Sequence, residues 1–352
     1  MHLLLLVSAV ITVTESFSWP QILSTLLAGR SLSEEEAGAA MKEIMEGAAT
    51  PAQIAAFVVA LRAKGETIEE IVGLVTTMRT LSEKVDVGED VLDTCGTGGD
   101  RTGTFNVSTA AALVCAGAGV KVAKHGNRAA SSRCGSADVL EALGVKIDLA
   151  PEGVASCIAT AGIGFCFAPV FHPAMRHAGP PRKELGIATI FNFLGPLTNP
   201  AGATRQALGV SDPRMVEPMV EALNRLGSKR VIAFHGDKGI DELSTSGPSE
   251  VFELVEGTTH RWTIDPVELG IDSAPLEAVA GGSPPQNAAA IRAVMNGEAG
   301  PRRDIVVLNA AAGLLAADRA QGVEEGIARA RESIDSGAAR KSLDSLITAS
   351  NS

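Results

Sequence analysis

After Val91 the chain alternates short apolar runs with helical stretches, and that alternation leaves few architectures open to it. The runs are VLDTC, VKVAKH, VKIDL, IGFCFAP and, much later, RVIAFHG. Between them lie STAAALVCAGA, ADVLEALG and MVEPMVEALNRLG, long enough and periodic enough to be helices. Strand and helix in turn predict an α/β fold with a mainly parallel central sheet covered by helices. In such sheets ligands bind beyond the carboxyl ends of the strands, so the loops that follow these runs are where function is expected.

Upstream the texture is purely helical. Ser18-Trp-Pro-Gln21, Ser33-Glu-Glu-Glu36, Thr50-Pro-Ala-Gln53 and Thr67-Ile-Glu-Glu70 each fit a capping box, in which a hydroxyl accepts from the third helical amide while Glu or Gln reaches back. Gly29, Gly47 and Gly65 provide stops where a left-handed residue is wanted. Residues 18–88 are therefore expected to form a small N-terminal helical domain and residues 89–352 the larger α/β domain. Between Phe171 and Pro200 the proline-broken stretch FHPAMRHAGPPRKELGIATIFNFLGPLTNP interrupts the α/β pattern, and part of 171–207 is expected to return to the helical domain.

Composition excludes several classes. A net charge of −11 argues against a surface that coats nucleic acid, which needs a basic face. The five cysteines are odd in number, form no C-x-x-C pair and sit among small apolar residues, which points to a reducing, cytoplasmic setting. Residues 1–17 begin with MHLLLLVSAVITV, too short to span a bilayer. The run lacks Lys or Arg ahead of it and an A-x-A site behind it, so it reads as an extension, disordered or from an early start, rather than a secretion signal.

The first strand-to-helix loop carries the strongest chemical signal. In DTCGTGGDRTGTFNVST, residues 93–109, glycines let the backbone turn sharply and present bare amides, and the helix that follows adds partial positive charge at its start. This is an anion site or a plain tight turn. It is neither a Walker loop, since no Lys stands in place, nor a dinucleotide loop, since Arg101 occupies the last glycine position. Asn106, Ser108 and Thr109 put three small hydrogen-bonding groups around one helix start, more than a cap needs. One strand later, Lys124-His125-Gly126-Asn127-Arg128 and Ser131-Ser132 carry cations, an amide and hydroxyls to the same sheet edge. Two polar loops meeting there suggest a polyphosphate. Asp241-Glu242, in HGDKGIDELS, follows a strand as well, and adjacent carboxylates suit Mg²⁺ beside a pyrophosphate.

The set GTGGD, NVST, KHGNR, SADVLEALG, HPAMRH, RKELG, FNFLGPLTNP and IDELS, in this order, resembles the anthranilate phosphoribosyltransferase family of tryptophan biosynthesis, from about Ser18 to the C-terminus. The resemblance implies transfer of ribose 5-phosphate from phosphoribosyl pyrophosphate to the amine of anthranilate, in a homodimer formed through the helical domain. Carried over by position, Gly96, Gly99, Asp100, Thr104, Asn106, Val107, Ser108 and Thr109 would line the phosphoribosyl pyrophosphate site. Lys124, His125, Gly126, Asn127, Arg128, Ala129, Ala130, Ser131 and Ser132 would complete it, with Ser136 nearby. Ser108, Asp241 and Glu242 would hold Mg²⁺. Gly96, Asn127 and Arg182 would meet anthranilate, with His172 and Pro196 along its way in. A guanidinium can pair with the aromatic carboxylate in a two-pronged geometry, although Lys183 and Glu184 alongside also allow Arg182 a surface ion pair.

No single residue is expected to act as an indispensable general base, and His125 reads as orienting. Cys134 stands where a serine is frequent in the family, which puts that position's hydrogen bond to substrate in doubt. Pyrimidine nucleoside phosphorylases resemble this fold too, but carry Lys-His-Ser ahead of their glycines, where this chain has Asp93-Thr94-Cys95. A nucleic-acid-binding relative would need a basic groove, which the acidic balance does not supply. Neither nucleic acid nor a membrane is expected as a partner.

Overall fold

In the computed structural model, residues 17–129 and 133–352 are described; the N-terminal apolar run and Ala130, Ser131 and Ser132 lie outside them. Four helices come first: α1 (Trp19–Leu27), α2 (Glu34–Met45), α3 (Pro51–Lys64) and α4 (Ile68–Thr80). Reciprocal capping boxes start α2, α3 and α4, made by Ser33 with Glu36, Thr50 with Gln53 and Thr67 with Glu70. The first expected box is not made. Ser18 holds the N-cap position of α1 with no side-chain bond, and Pro20 in the first turn removes one of the amides that a cap would serve.

The α/β part then alternates as expected through β1 (Leu92–Gly96), α5 (Val107–Gly117), β2 (Val122–Gly126), α6 (Ser136–Ala142), α7 (Pro151–Ala161) and β3 (Ile163–Phe167). Three short helices, α8 (Ala168–Phe171), α9 (Gly179–Leu185) and α10 (Phe191–Leu194), occupy the proline-broken stretch. There follow β4 (Arg205–Gly209), α11 (Pro213–Arg225), β5 (Arg230–His235), β6 (Ser249–Val255), β7 (Thr258–Ile264), and helices α12 (Pro284–Met295), α13 (Pro301–Ala316), α14 (Val323–Asp335) and α15 (Ala338–Ser350). The strand order is β3-β2-β1-β4-β5-β6-β7, parallel through β5 and antiparallel beyond it.

VKIDL at 145–149 forms no strand. Val145 and Ile147 are buried as a strand's inward residues would be, but β3 is already the sheet edge, and the Lys146 amide donates instead to Ser350 Oγ of α15 at 3.1 Å.

Topology decides where a ligand can enter. The chain builds outward from β1 through β2 to β3, then returns to place β4 on the other flank of β1, so the connections leaving β1 and β4 diverge above the sheet. That divergence opens a crevice at the carboxyl ends of β1 and β4. One sheet face is covered by α5 and α13. α5 is apolar all round and almost wholly buried, α13 is buried from Ile305 to Ala316, and Gly313 brings α13 close enough that an added Cβ would meet Cys115 Sγ at 2.8 Å. On the other face a single apolar cluster runs from the helical domain through Phe191, Phe193 and the inner side of α11 to Val231 and Phe252. The segment between α8 and β4 is thus shared with the helical domain, and His177 packs so closely on Gly47 that a Cβ there would lie 2.7 Å from its ring. Among the described residues no helix is long and apolar enough to cross a membrane.

Candidate active site

The crevice above β1 and β4 is shaped by glycines at strand ends. Gly96, Gly209 and Phe234 stand in register across β1, β4 and β5, and Gly236 follows just past the strand. A Cβ at Gly96 would lie 2.3 Å from Asp241 Oδ2, one at Gly209 1.7 Å from the Asp241 carbonyl oxygen, and one at Gly236 2.2 Å from the Glu242 carbonyl oxygen. The Asp241-Glu242 loop therefore rests directly on backbone. Sequence reasoning found Gly96 through its loop; Gly209 carries no motif and was missed, and Gly236 stands in HGDKGIDELS but was given no role.

So seated, the two carboxylates reach the glycine loop and the start of α5. Asp241 Oδ2 accepts from the Gly98 amide at 2.7 Å, and Glu242 Oε1 accepts from the Ser108 amide at 3.1 Å. None of the three side chains expected to crowd the helix start forms a conventional cap. Asn106 holds the N-cap position but makes no cap bond, Ser108 Oγ accepts from Lys124 Nζ at 3.4 Å, and the buried Thr109 hydroxyl has no partner. Carboxylates at this end complement the helix dipole.

Burial and neighbouring carboxylates push both acids up. Asp241 rises to about 7, from desolvation first and then from the neighbouring Asp100, while Glu242 rises well above the usual range, from desolvation and then from Asp241. Among the described residues no three His, Cys, Asp or Glu side chains converge as a ready metal cage. The donor set nonetheless fits Mg²⁺, which takes hard oxygen ligands, commonly one or two carboxylates with water and substrate phosphate supplying the rest. A divalent cation would relieve the repulsion that raises these acids.

The glycine loop itself arches over the crevice with positive φ at Gly98, Gly99, Arg101 and Gly103. Gly99 has open space on its Cβ side. Asp100 is tied down by the Thr102 hydroxyl. The far end of the loop is strapped to residues 279–281: Thr104 bridges Ala280, Gly281 N donates to Gly103 O at 2.8 Å and Phe105 N donates to Val279 O at 3.0 Å. Val107 is buried, so it offers the site only backbone.

The second polar loop meets the first, because β2 lies beside β1. Lys124 is buried below the crevice, donating to Thr94 O and Ser108 Oγ, and desolvation lowers its pKa against the pull of Asp93. Asn127 Oδ1 accepts from Arg128 N at 2.7 Å and its carbonyl from Ser136 Oγ at 3.3 Å. Gly126 is required there, since a Cβ would meet Ser136 Oγ at 2.2 Å. The guanidinium of Arg128 is engaged by Asp138 and Glu141 of α6, and Ala129 N donates to Asp138 Oδ2 at 2.9 Å. Cys134 offers its carbonyl to Asn106 Nδ2 at 3.0 Å.

Beside these loops a cavity of about 650 Å³ lies between the α/β domain and the helical side. Its lining includes Gly96, Asn127, His172, Arg182, Phe191 and Pro196. The expected acceptor residues are thus brought together. Arg182 makes no ion pair among the described residues; its guanidinium stacks over the Phe191 ring at 5.4 Å and is partly desolvated. Two histidines also face this space, with rings 5.1 Å apart. His125 Nδ1 pairs with Gly195 O and His172 Nε2 with Thr198 O, each at 3.1 Å, so the other nitrogen of each ring is a lone-pair acceptor. Desolvation pushes His125 down to about 3 and His172 down to about 4, leaving both neutral at pH 7. Cys95, also in the lining, is buried with its thiol held well above the usual range by desolvation, which makes it a poor nucleophile.

Comparison with known proteins agrees with this fold. Residues 20–82 match the "Glycosyl transferase family, helical bundle domain" and residues 88–340 the "Glycosyl transferase family, a/b domain". The chain is 54% identical over 332 residues to the anthranilate phosphoribosyltransferase of Chloroflexus aggregans, covering 94% of this chain and 98% of that one. Among solved structures it is similar to the Thermus thermophilus enzyme of that name, with TM-score 0.89, 47% identity and coverage of 94% and 99%. The Saccharomyces cerevisiae enzyme, solved in complex with phosphoribosyl pyrophosphate and Mg, superposes with TM-score 0.86 at 29% identity, covering 95% of this chain and 98% of that one. This chain belongs to the anthranilate phosphoribosyltransferase family.

Proposed function

We propose that this chain transfers the 5-phosphoribosyl group from phosphoribosyl pyrophosphate to the amine of anthranilate, releasing pyrophosphate, as a step in tryptophan biosynthesis. The observation that carries the reading is adjacency. The crevice over the strand ends and the cavity beside it share Gly96 and Asn127, so a sugar held between them has a diphosphate on one side and an aromatic amine on the other.

On this reading the donor lies against Gly96, Gly99, Asp100, Thr104, the start of α5 from Asn106 to Thr109, and the loop from Lys124 to Ser132 with Ser136. Mg²⁺ would be held by Asp241, Glu242 and Ser108, and when bound it neutralises diphosphate charge and so makes pyrophosphate a better leaving group. Anthranilate occupies the cavity, its carboxylate on Arg182, whose stacking on Phe191 fixes the plane of the fork. The C1′–O bond to pyrophosphate breaks as the C1′–N bond forms, and the amine's proton passes to water or to the released pyrophosphate. An aniline nitrogen is nucleophilic while neutral, and its alkylated cation is acidic, so the protein chiefly aligns the partners and screens charge. His125 and His172, both neutral, orient rather than ionise and leave the cavity's positive charge to Arg182 and Arg176.

A homodimer through the helical domain is part of the proposal, supported by Leu27 of α1 at 80% exposure and Val59 of α3 at 39%. So is a cytoplasmic location, supported by Cys95, Cys115, Cys157 and Cys166, which are buried as thiols rather than joined in disulfides. The test is to mix purified protein, phosphoribosyl pyrophosphate, Mg²⁺ and anthranilate and follow anthranilate fluorescence. Loss of signal that requires every component supports the reading. Phosphorolysis of thymidine with no effect on anthranilate would overturn it.

A further inference from the structure

We infer that Asn287, on α12, is a positioning residue for the donor site, acting through Asn106; the inference rests on the donor-site reading above. Asn287 is 181 residues from Asn106 and only 3% exposed, yet both ends of its amide are used. Its Oδ1 accepts from the Gly282 amide at 2.7 Å, and its Nδ2 donates to Asn106 Oδ1 at 2.9 Å. Asn106 in turn donates to the Cys134 carbonyl at 3.0 Å.

One buried amide thus fixes three backbone segments. Gly282 continues the strap, residues 279–281, that holds the end of the glycine loop, where an added Cβ at Gly281 would meet Thr104 O at 2.7 Å. Asn106 holds the N-cap position of α5 without capping it, because its side chain is committed to this chain of amides. Cys134 belongs to the loop that leads back to Asn127. The chain has a polarity: each amide donates toward Cys134, and only a side chain with both a donor and an acceptor can sit at position 287. Aspartate there would still accept from Gly282, but would face Asn106 Oδ1 with oxygen and force that amide to turn, leaving two carbonyl-type oxygens opposed at Cys134.

The experiment uses the full chain carrying Asn287→Asp or Asn287→Leu, each alone and combined with Asn106→Ala. Donor and acceptor KM, kcat, and hydrogen exchange of the Thr104–Ser108 and Gly281–Gly282 amides in ligand-free protein are measured. Loss of a buried, doubly bonded amide predicts a donor KM raised about tenfold or more, with kcat within about threefold and the anthranilate KM unchanged. Exchange of the named amides should quicken in both single variants. In the Asn106→Ala background Asn287→Asp, which keeps the Gly282 bond, should add less than about twofold, whereas Asn287→Leu still releases Gly282. A wild-type donor KM in both folded variants, or equal multiplication of KM by Asn287→Asp in both backgrounds, would overturn the inference. Faster exchange in a protein whose wild type turns over no anthranilate would overturn the proposed function and leave the positioning supported. If the Leu variant does not fold, the nearly isosteric Asp variant carries the test.

Discussion

Gly209→Ala is the smallest substitution that should disable the crevice without touching a polar group. Gly209 ends β4 with strand backbone, pairs with Gly96, and does not adopt a positive φ, so alanine introduces no conformational strain of its own. What it introduces is a methyl group 1.7 Å from the Asp241 carbonyl oxygen, where contacts under 3.0 Å are essentially never seen. The backbone of Asp241 must retreat by roughly 1.3 Å or more, since β4 is locked between β1 and β5 and the packed interior has little slack. Overpacking of this kind costs about 1–3 kcal/mol of stability. The larger effect is on alignment: a displacement near 1 Å at a positioned group costs about a hundredfold in rate. Steady-state assays across a Mg²⁺ titration should therefore show kcat/KM lower by about two decades and a higher Mg²⁺ requirement, in a protein that still melts cooperatively. Wild-type kcat/KM at every Mg²⁺ concentration would show that the carboxylates do not depend on this seat.

Other consequences are open to measurement. Arg182→Ala should raise the anthranilate KM by about ten- to a hundredfold and leave the donor KM alone, and Arg182→Lys should recover only part of it, because an ammonium lacks the planar fork; an unchanged anthranilate KM would remove Arg182 from the acceptor site. His125 and His172 give the stability a pH dependence whose sign is fixed. Their folded pKa values, about 3 and about 4, lie below the unfolded value near 6.5, so the unfolded state binds more protons in between, and stability present above 6.5 is lost as pH falls. From pH 7.5 to 5 each should cost about 2 kcal/mol in denaturant titrations, a slope that the double variant to asparagine should lack; parallel profiles would contradict it. Asp93, raised by burial, contributes in the opposite sense and is common to both proteins, so the difference isolates the histidines. Glu70 is wholly buried and accepts from Leu32 N, Thr67 N and Lys64 Nζ, so Glu70→Ala should cost about 3 kcal/mol or more, against about 1 kcal/mol for the half-buried capping-box variant Glu36→Ala. Equal costs would contradict this ordering.

Much of the site is legible along the chain because its groups sit in loops that directly follow strands. GTGGD from the last residue of β1, KHGNR across the end of β2 and the Asp241-Glu242 pair after β5 could be placed at one sheet edge from alternation alone. What escaped was non-local. β4, with Arg205 and Gln206 in a five-residue run, is too short and too polar to stand out until its neighbours bury it. The β6–β7 hairpin turns through Glu256 and Gly257 at φ of 50° and 75°, the left-handed pair a two-residue hairpin needs, but glutamate is an unusual occupant there and hides the signal. Gly209 and Gly236 matter only because a loop some thirty residues or fewer away in sequence settles on them. Asn287 matters through Gly282 and through Asn106, 181 residues away at the start of α5. The roles foreseen for Asn106 and Lys124 rested on residue type; the internal bonding of Asn106 and the burial of Lys124 emerge only once α12 and Asp93 are in place.

The central claim is that donor and acceptor meet at Gly96 and Asn127, one over the strand ends and the other in the cavity beside Arg182. A crystal structure with phosphoribosyl pyrophosphate, Mg²⁺ and an unreactive anthranilate analogue tests it most directly. The account predicts diphosphate oxygens at the 96–109 loop, a metal ion bonded to Asp241 or Glu242, and the analogue's carboxylate on Arg182. A donor bound away from that loop, or an analogue lodged outside the cavity, would contradict it.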